Sequence, residues 1–160
     1  MAKEKIFSSF GILPKEDMLE IKSDFKQLKI GIPKESSFQE NRVSLTPDSV
    51  GLLIANGHSV IIEKGAGLAS NFSDSEYTDK GAEIAYSKEE VFKAKSILKI
   101  EPPTKEELAL MQKGQELISA VQMSTQAHEY FKTLNQKNIT AFGFEFIKDK
   151  QNKLPIVRSM

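Results

Sequence analysis

The sequence predicts an α/β domain of three layers, with helices on both faces of a mainly parallel sheet. Short apolar runs that read as strands alternate about five times with capped helical segments between Leu28 and Phe146. The links between them are short, which suits βαβ units with right-handed crossovers. The run Val60-Ile61-Ile62 shows no polar alternation, as expected of a strand buried on both faces.

The first strand is Leu28 to Ile32, stopped by Pro33, which cannot donate to a ladder. A polar loop leads to Thr46, an N-cap with Pro47 in the first helical position, where its missing N–H costs nothing. That helix runs to Asn56 and Gly57 closes it. His58 to Glu63 is the second strand, and Gly65-Ala66-Gly67 turns the chain. Ser73 with Glu76, Ser87 with Glu90 and Thr104 with Glu107 each have the spacing of a capping box and open three further helices. Between them lie Glu83 to Ala85 and Ser96 to Ile100, the latter stopped by Pro102-Pro103. Glu116 to Val121 is a strand, Thr125 caps a helix to about Gln136, and Ile139 to Phe144 is the last strand. The sheet is therefore expected to be Rossmann-like (flavodoxin-like). Residues 1–27 stand apart as an N-terminal arm, with a helix from Pro14 to about Phe25 whose face is Met18, Ile21 and Phe25.

Composition narrows the partners. Lys and Arg number 22 and so do Asp and Glu, so the formal charge is zero, which disfavours a nucleic-acid or anionic-membrane surface. Without cysteine there is no disulfide, thiolate or zinc-cysteine chemistry, and two histidines are too few for a His-rich metal site. No apolar run is long enough to span a bilayer, and no apolar h-region follows the N-terminus, so the cytoplasm is the expected compartment.

Ligands of open α/β sheets bind beyond the carboxyl ends of the strands. Four side chains are expected there: Arg42 after the first strand, Lys99 and Glu101 at the end of the fourth, and Gln122 at the end of the fifth. The Arg42 guanidinium is a planar fork suited to a carboxylate or phosphate, or alternatively to a structural ion pair with Glu35 or Glu40. Lys99 either faces the crevice or snorkels to solvent. Glu101 is either a general base or a solvated loop carboxylate. Gln122 can orient a substrate but transfers no proton. His58 has no evident partner and His128 reads as surface. Gly65-Ala66-Gly67 lacks the third glycine and the immediate helix of a dinucleotide fingerprint, so no nucleotide cradle is expected.

The segments Ile-Gly-Ile-Pro-Lys-Glu, Glu-Asn-Arg-Val-Ser-Leu-Thr-Pro, Asn-Gly-His-Ser-Val, Glu-Lys-Gly-Ala-Gly, Phe-Ser-Asp, Gly-Ala-Glu-Ile and Ile-Leu-Lys-Ile occur in this order. Together they resemble the N-terminal domain shared by alanine dehydrogenase and the alpha subunit of nicotinamide nucleotide transhydrogenase, over about residues 28–160. The resemblance implies the substrate-side catalytic domain of an NAD-dependent oxidoreductase that interconverts L-alanine with pyruvate and ammonium. It implies Arg42 and Met160 as substrate-binding positions, beside Lys99, which the crevice placement offers as a third. Glu101 stands where the family has its substrate lysine and Gln122 where it has its catalytic histidine. A carboxylate at the lysine position repels an oxo acid, and glutamine cannot relay a proton. These replacements count toward the alternatives, a transhydrogenase-like domain or a member without catalysis. In the family the sequence continues beyond the position of Met160 into the nucleotide-binding domain. The expectation is therefore an isolated fragment, inactive by itself and not binding NAD, from a homo-oligomeric parent whose ligands are an amino acid or oxo acid and NAD or NADP.

Overall fold

A computed structural model of the chain describes residues 27–156. Residues 1–26 of the expected N-terminal arm, with its Pro14–Phe25 helix, and Met160 lie outside the described residues.

Six strands form one sheet: β1 (Lys29–Ile32), β2 (Ser59–Glu63), β3 (Glu83–Ala85), β4 (Ser96–Leu98), β5 (Glu116–Ser119) and β6 (Thr140–Gly143). Every pairing is parallel and the spatial order is β3-β2-β1-β4-β5-β6. This is the doubly wound Rossmann order; a flavodoxin-like sheet would read 2-1-3-4-5. The connection reverses direction at β1 and β4, so their carboxyl ends border the crevice where such folds take ligands.

The helices between the strands are α1 (Pro47–Ala55), α2 (Asp74–Asp79), α3 (Lys88–Val91), α4 (Lys105–Leu110) and α5 (His128–Gln136). Their starts follow local chemistry. The Thr46 side chain accepts the N–H of Ser49 beside Pro47. Ser73 with Glu76 and Thr104 with Glu107 close both halves of a capping box. Ser87 closes only half, accepting the Glu90 N–H while the Glu90 carboxylate reaches past it to the N–H of Tyr86. At α5 the sequence expectation fails. The helix starts at His128, and Ala127 gives its N-cap position no side-chain bond. The Thr125 hydroxyl donates instead to the backbone oxygen of Gln122. It stabilises the turn after β5 and not the helix.

Two apolar clusters flank the sheet. One joins Ile30, Ile32, Val50, Val60, Ile62 and Tyr77; the other joins Ile61, Phe92, Ile97, Leu117, Tyr130 and Leu134. Gly31 sets how closely α3 approaches β1, because a Cβ there would stand 2.5 Å from the Val91 carbonyl oxygen and 2.9 Å from the Ala94 Cβ. None of the described helices is long and apolar enough to cross a membrane.

Candidate functional site

The loop after β1 carries Glu35, Glu40 and Arg42 over the ends of β4 and β5. Arg42 is half-exposed, and its Nε–H and one Nη2–H both donate to the Glu40 carboxylate, whose oxygens also take the Arg42 backbone N–H at 2.9 Å. This side-on pair holds the guanidinium by one edge. A guanidinium has five N–H donors, so three remain without a hydrogen bond among the described residues. The same pairing lowers the Glu40 carboxyl below the usual carboxylate range, chiefly through the Arg42 hydrogen bond.

Glu101 lies between Arg42 and Gln122. One of its oxygens is 3.9 Å from Arg42 Nη2 and the other accepts the Gln122 side-chain amide at 2.9 Å. Three of the four expected crevice residues, Arg42, Glu101 and Gln122, are therefore neighbours, and the ends of β1, β4 and β5 bring them together. One guanidinium faces two carboxylates, so the cluster of Glu40, Arg42 and Glu101 carries a net single negative charge.

Lys99 is placed differently. Its side chain is 1% exposed and reaches neither crevice nor solvent. Its ammonium lies 2.9 Å from Glu107 and 3.2 Å from Glu35, and Lys88 meets the other Glu107 oxygen at 2.8 Å. Ser36 and the Thr104 N–H also donate to Glu107. Burial raises the Glu107 carboxyl, but the Lys88 hydrogen bond, the Lys99 charge and the Thr104 N–H outweigh it and hold the group below its ordinary range. For Glu35 burial prevails over Lys99 and the Ile100 N–H, and the carboxyl is pushed up. Two carboxyl and two lysine side chains thus pack together beneath the crevice.

The backbones of Glu101 and Gln122 are fixed by carboxylates from elsewhere in the chain. Glu35 accepts the N–H of Ile100 at 2.7 Å. Glu145, in the 3-10 turn after β6, accepts the N–H of Val121 at 2.7 Å and of Gln122 at 2.9 Å on a single oxygen. Gln122 has a φ of 48°, a left-handed conformation uncommon for a residue with a Cβ. These two clamps were missed from sequence, since their partners lie 65 and 24 residues away. A signal did exist for the network around Glu35: a lysine inside the apolar run Ile97 to Ile100 must be buried, and a buried ammonium requires carboxylates.

The remaining expectations are structural. His58 does have a partner, accepting the Leu28 N–H on Nδ1 at 3.3 Å, and His128 is exposed. The Gly65 N–H donates to Asp74, and a Cβ at Gly67 would press on Tyr77 and the Phe72 carbonyl oxygen. The turn continues into the three-residue 3-10 segment Leu68–Ser70 and offers no α-helix terminus to a phosphate. Beside the crevice a hollow of about 790 Å³ opens between α4 and α5, floored by Leu108, Ala109 and Tyr130; neither Arg42 nor Glu101 lines it.

A family model described as alanine dehydrogenase/PNT, N-terminal domain, matches residues 31–160. The alanine dehydrogenase of Bacillus subtilis (strain 168) is 37% identical over 131 residues, covering 82% of this chain and 34% of that protein. That of Methanococcus maripaludis is 39% identical over 132 residues, covering 82% of this chain and 35% of the relative. The solved structure of an L-alanine dehydrogenase superposes with a TM-score of 0.78 at 34% identity, over 81% of this chain and 36% of the other. A transhydrogenase from Sinorhizobium meliloti superposes with a TM-score of 0.70 at 28% identity, over 77% and 35%. The chain thus spans about a third of the length of these relatives.

Proposed function

The chain belongs to the alanine dehydrogenase/PNT N-terminal domain family, and on that premise we propose that it is the substrate-side domain of a nicotinamide-dependent oxidoreductase acting on the CH–NH2 group of an amino acid, as an alanine dehydrogenase does. The observation that carries the reading is Arg42: a guanidinium at the carboxyl end of β1, fixed along one edge by Glu40, with three N–H donors that have no partner among the described residues and suit a substrate carboxylate. Gln122 orients the substrate by hydrogen bonding and Glu101 meets its nitrogen side. Lys99 acts from beneath, through Glu35 and the Ile100 N–H, on the backbone that carries Glu101. Met160 is assigned a place beside the substrate by resemblance alone.

The nicotinamide nucleotide implied by the family does not fit this chain's own glycine turn, whose Gly65 N–H is taken by Asp74 and whose Gly67 is packed against Tyr77. We assign the nucleotide to a further domain of the full-length protein, in a cytoplasmic homo-oligomer. The reading is tested by following NAD or NADP reduction by the full-length protein with L-alanine and other L-amino acids. Amino-acid-dependent reduction that falls sharply in Arg42→Ala is the expected result.

A second reading is favoured by one observation. By the resemblance, Glu101 and Gln122 stand at the family's lysine and histidine positions, as a transhydrogenase-like domain without an amino-acid site would allow. Hydride transfer from NADH to an NADP analogue, without amino-acid oxidation, would favour it.

A further inference from the structure

We propose that the crevice selects a zwitterionic α-amino acid over the corresponding 2-oxo acid, with Arg42 taking the carboxylate and Glu101 taking the α-ammonium. The inference rests on the reading of this crevice as an amino-acid or oxo-acid site and specifies which of the two charge states it is built for.

The charges point that way. A 2-oxo acid is an anion with a neutral carbonyl, and it would meet one guanidinium flanked by two carboxylates. Glu40 already takes two of the Arg42 donors, and Glu101 stands 3.9 Å from Nη2. The net negative charge of that cluster opposes a second anion unless the ligand brings a positive group with it. An α-amino acid does so, one carbon away from its carboxylate. The Glu101 oxygen lies 3.9 Å from Arg42 Nη2, so a carboxylate held by the Arg42 donors left open among the described residues would stand beside it, with its α-substituent within reach. An ammonium there can donate to Glu101, whereas a carbonyl oxygen there would face lone pairs and no donor.

The geometry also keeps Glu101 available. Its second oxygen accepts the Gln122 amide at 2.9 Å, which turns the carboxylate so that the first oxygen faces Arg42. The Gln122 backbone is in turn fixed by Glu145, and the chain leading into Glu101 by Glu35. Lys99, two residues earlier in the chain, is engaged by Glu35 and Glu107 and is 1% exposed. The ion pair that Glu101 makes among the described residues, with Arg42 at 3.9 Å, is too long for a hydrogen bond, and an incoming ammonium would supply a closer partner.

The test is calorimetric titration of the full-length protein, without nucleotide, with L-alanine and separately with pyruvate at neutral pH. L-alanine is expected to bind about tenfold or more tightly than pyruvate, the scale of one charge-assisted hydrogen bond. Glu101→Gln should bring the two affinities within about threefold, and Glu101→Lys should reverse their order. Arg42→Ala should weaken both ligands together. Pyruvate binding as tightly as L-alanine, or a preference unchanged in Glu101→Gln, would overturn the role of Glu101 while leaving the amino-acid-site reading standing. Binding of neither ligand would overturn the reading itself and this inference with it.

Discussion

The Lys99 ammonium lies 2.9 Å from a Glu107 carboxylate oxygen, and both side chains are almost completely buried. With Glu35 and Lys88 they form a charge-balanced network beneath the loops that carry Arg42 and Glu101. Removing one member leaves the others uncompensated in a low-dielectric setting. Lys99→Met should therefore destabilise the protein by about 3–5 kcal/mol, the usual effect of breaking a buried pair. Urea denaturation would measure it, and a change under 1 kcal/mol would show that the network is solvated.

The two carboxylates respond to pH in opposite senses. The Glu107 carboxyl is held below its ordinary range, so its stabilisation is present above the unfolded-state value and is lost as pH falls through the folded-state value. The Glu35 carboxyl is raised, so the folded state holds that proton more tightly, and stability is gained as pH falls through its folded-state value. Glu35 therefore offsets part of the acid loss from Glu107. Glu35→Gln should steepen the fall in stability on acidification below neutrality, followed by urea midpoints across a pH series. A shallower fall in the variant would contradict the assignment.

Arg42→Ala separates binding from folding. The Arg42–Glu40 pair is partly exposed and contributes at most about 1 kcal/mol to stability. A hydrogen-bonded carboxylate ligand loses about 1.5–3 kcal/mol of binding, roughly tenfold to a hundredfold. Calorimetric titration of the full-length protein with L-alanine, beside thermal unfolding, tests both parts. Unchanged affinity would remove Arg42 from the site.

Most of the fold could be read from the sequence because its determinants are local. The Thr46-Pro47 start, the two complete capping boxes and the apolar run Val60 to Ile62 each lie within a few residues. The α5 start was misread because Thr125 has an acceptor nearer at hand, the Gln122 backbone oxygen. The candidate site was only half legible. Arg42, Glu101 and Gln122 follow from their places at strand ends. What holds them does not, because Glu35, Glu107 and Glu145 act across the sheet. Glu107 illustrates the limit. Its place three residues after Thr104 identifies it as a capping residue, and nothing local reveals that the same carboxylate receives Ser36, Lys88 and Lys99.

Gly31 has no room for a side chain. Gly31→Ala would drive a Cβ onto the Val91 carbonyl oxygen and Ala94, so β1 and α3 must separate. A loss of about 1–3 kcal/mol is expected from such overpacking. The urea midpoint should fall without a change in the m-value.

Glu145 holds the turn that presents Gln122. In Glu145→Ala the N–H groups of Val121 and Gln122 lose their acceptor, at about 1–3 kcal/mol for each one left buried and unpaired. Hydrogen exchange at these two amides should accelerate well beyond that of β5. Glu145→Gln keeps an acceptor oxygen and should restore much of the protection; equal loss in both variants would mean that charge, and not the hydrogen bonds, holds the turn.

The chain by itself should show no saturable NADH binding at low micromolar concentration. Pyrophosphate recognition in doubly wound folds needs glycines that lead directly into a helix, with free N–H groups aimed at the anion. Here the Gly65 N–H is bound to Asp74 at 2.8 Å. Gly67 is a glycine for packing, since a Cβ there would come within 2.7 Å of the Tyr77 ring. The segment that follows is a three-residue 3-10 turn, and the next helix, α2, has its start closed by the Ser73–Glu76 box. The α1 start is likewise taken, by Thr46 and Pro47. Fluorescence titration of the 160-residue chain with NADH tests the point, and a clear micromolar isotherm would place a nucleotide site on this domain and refute the assignment of that role elsewhere in the full-length protein.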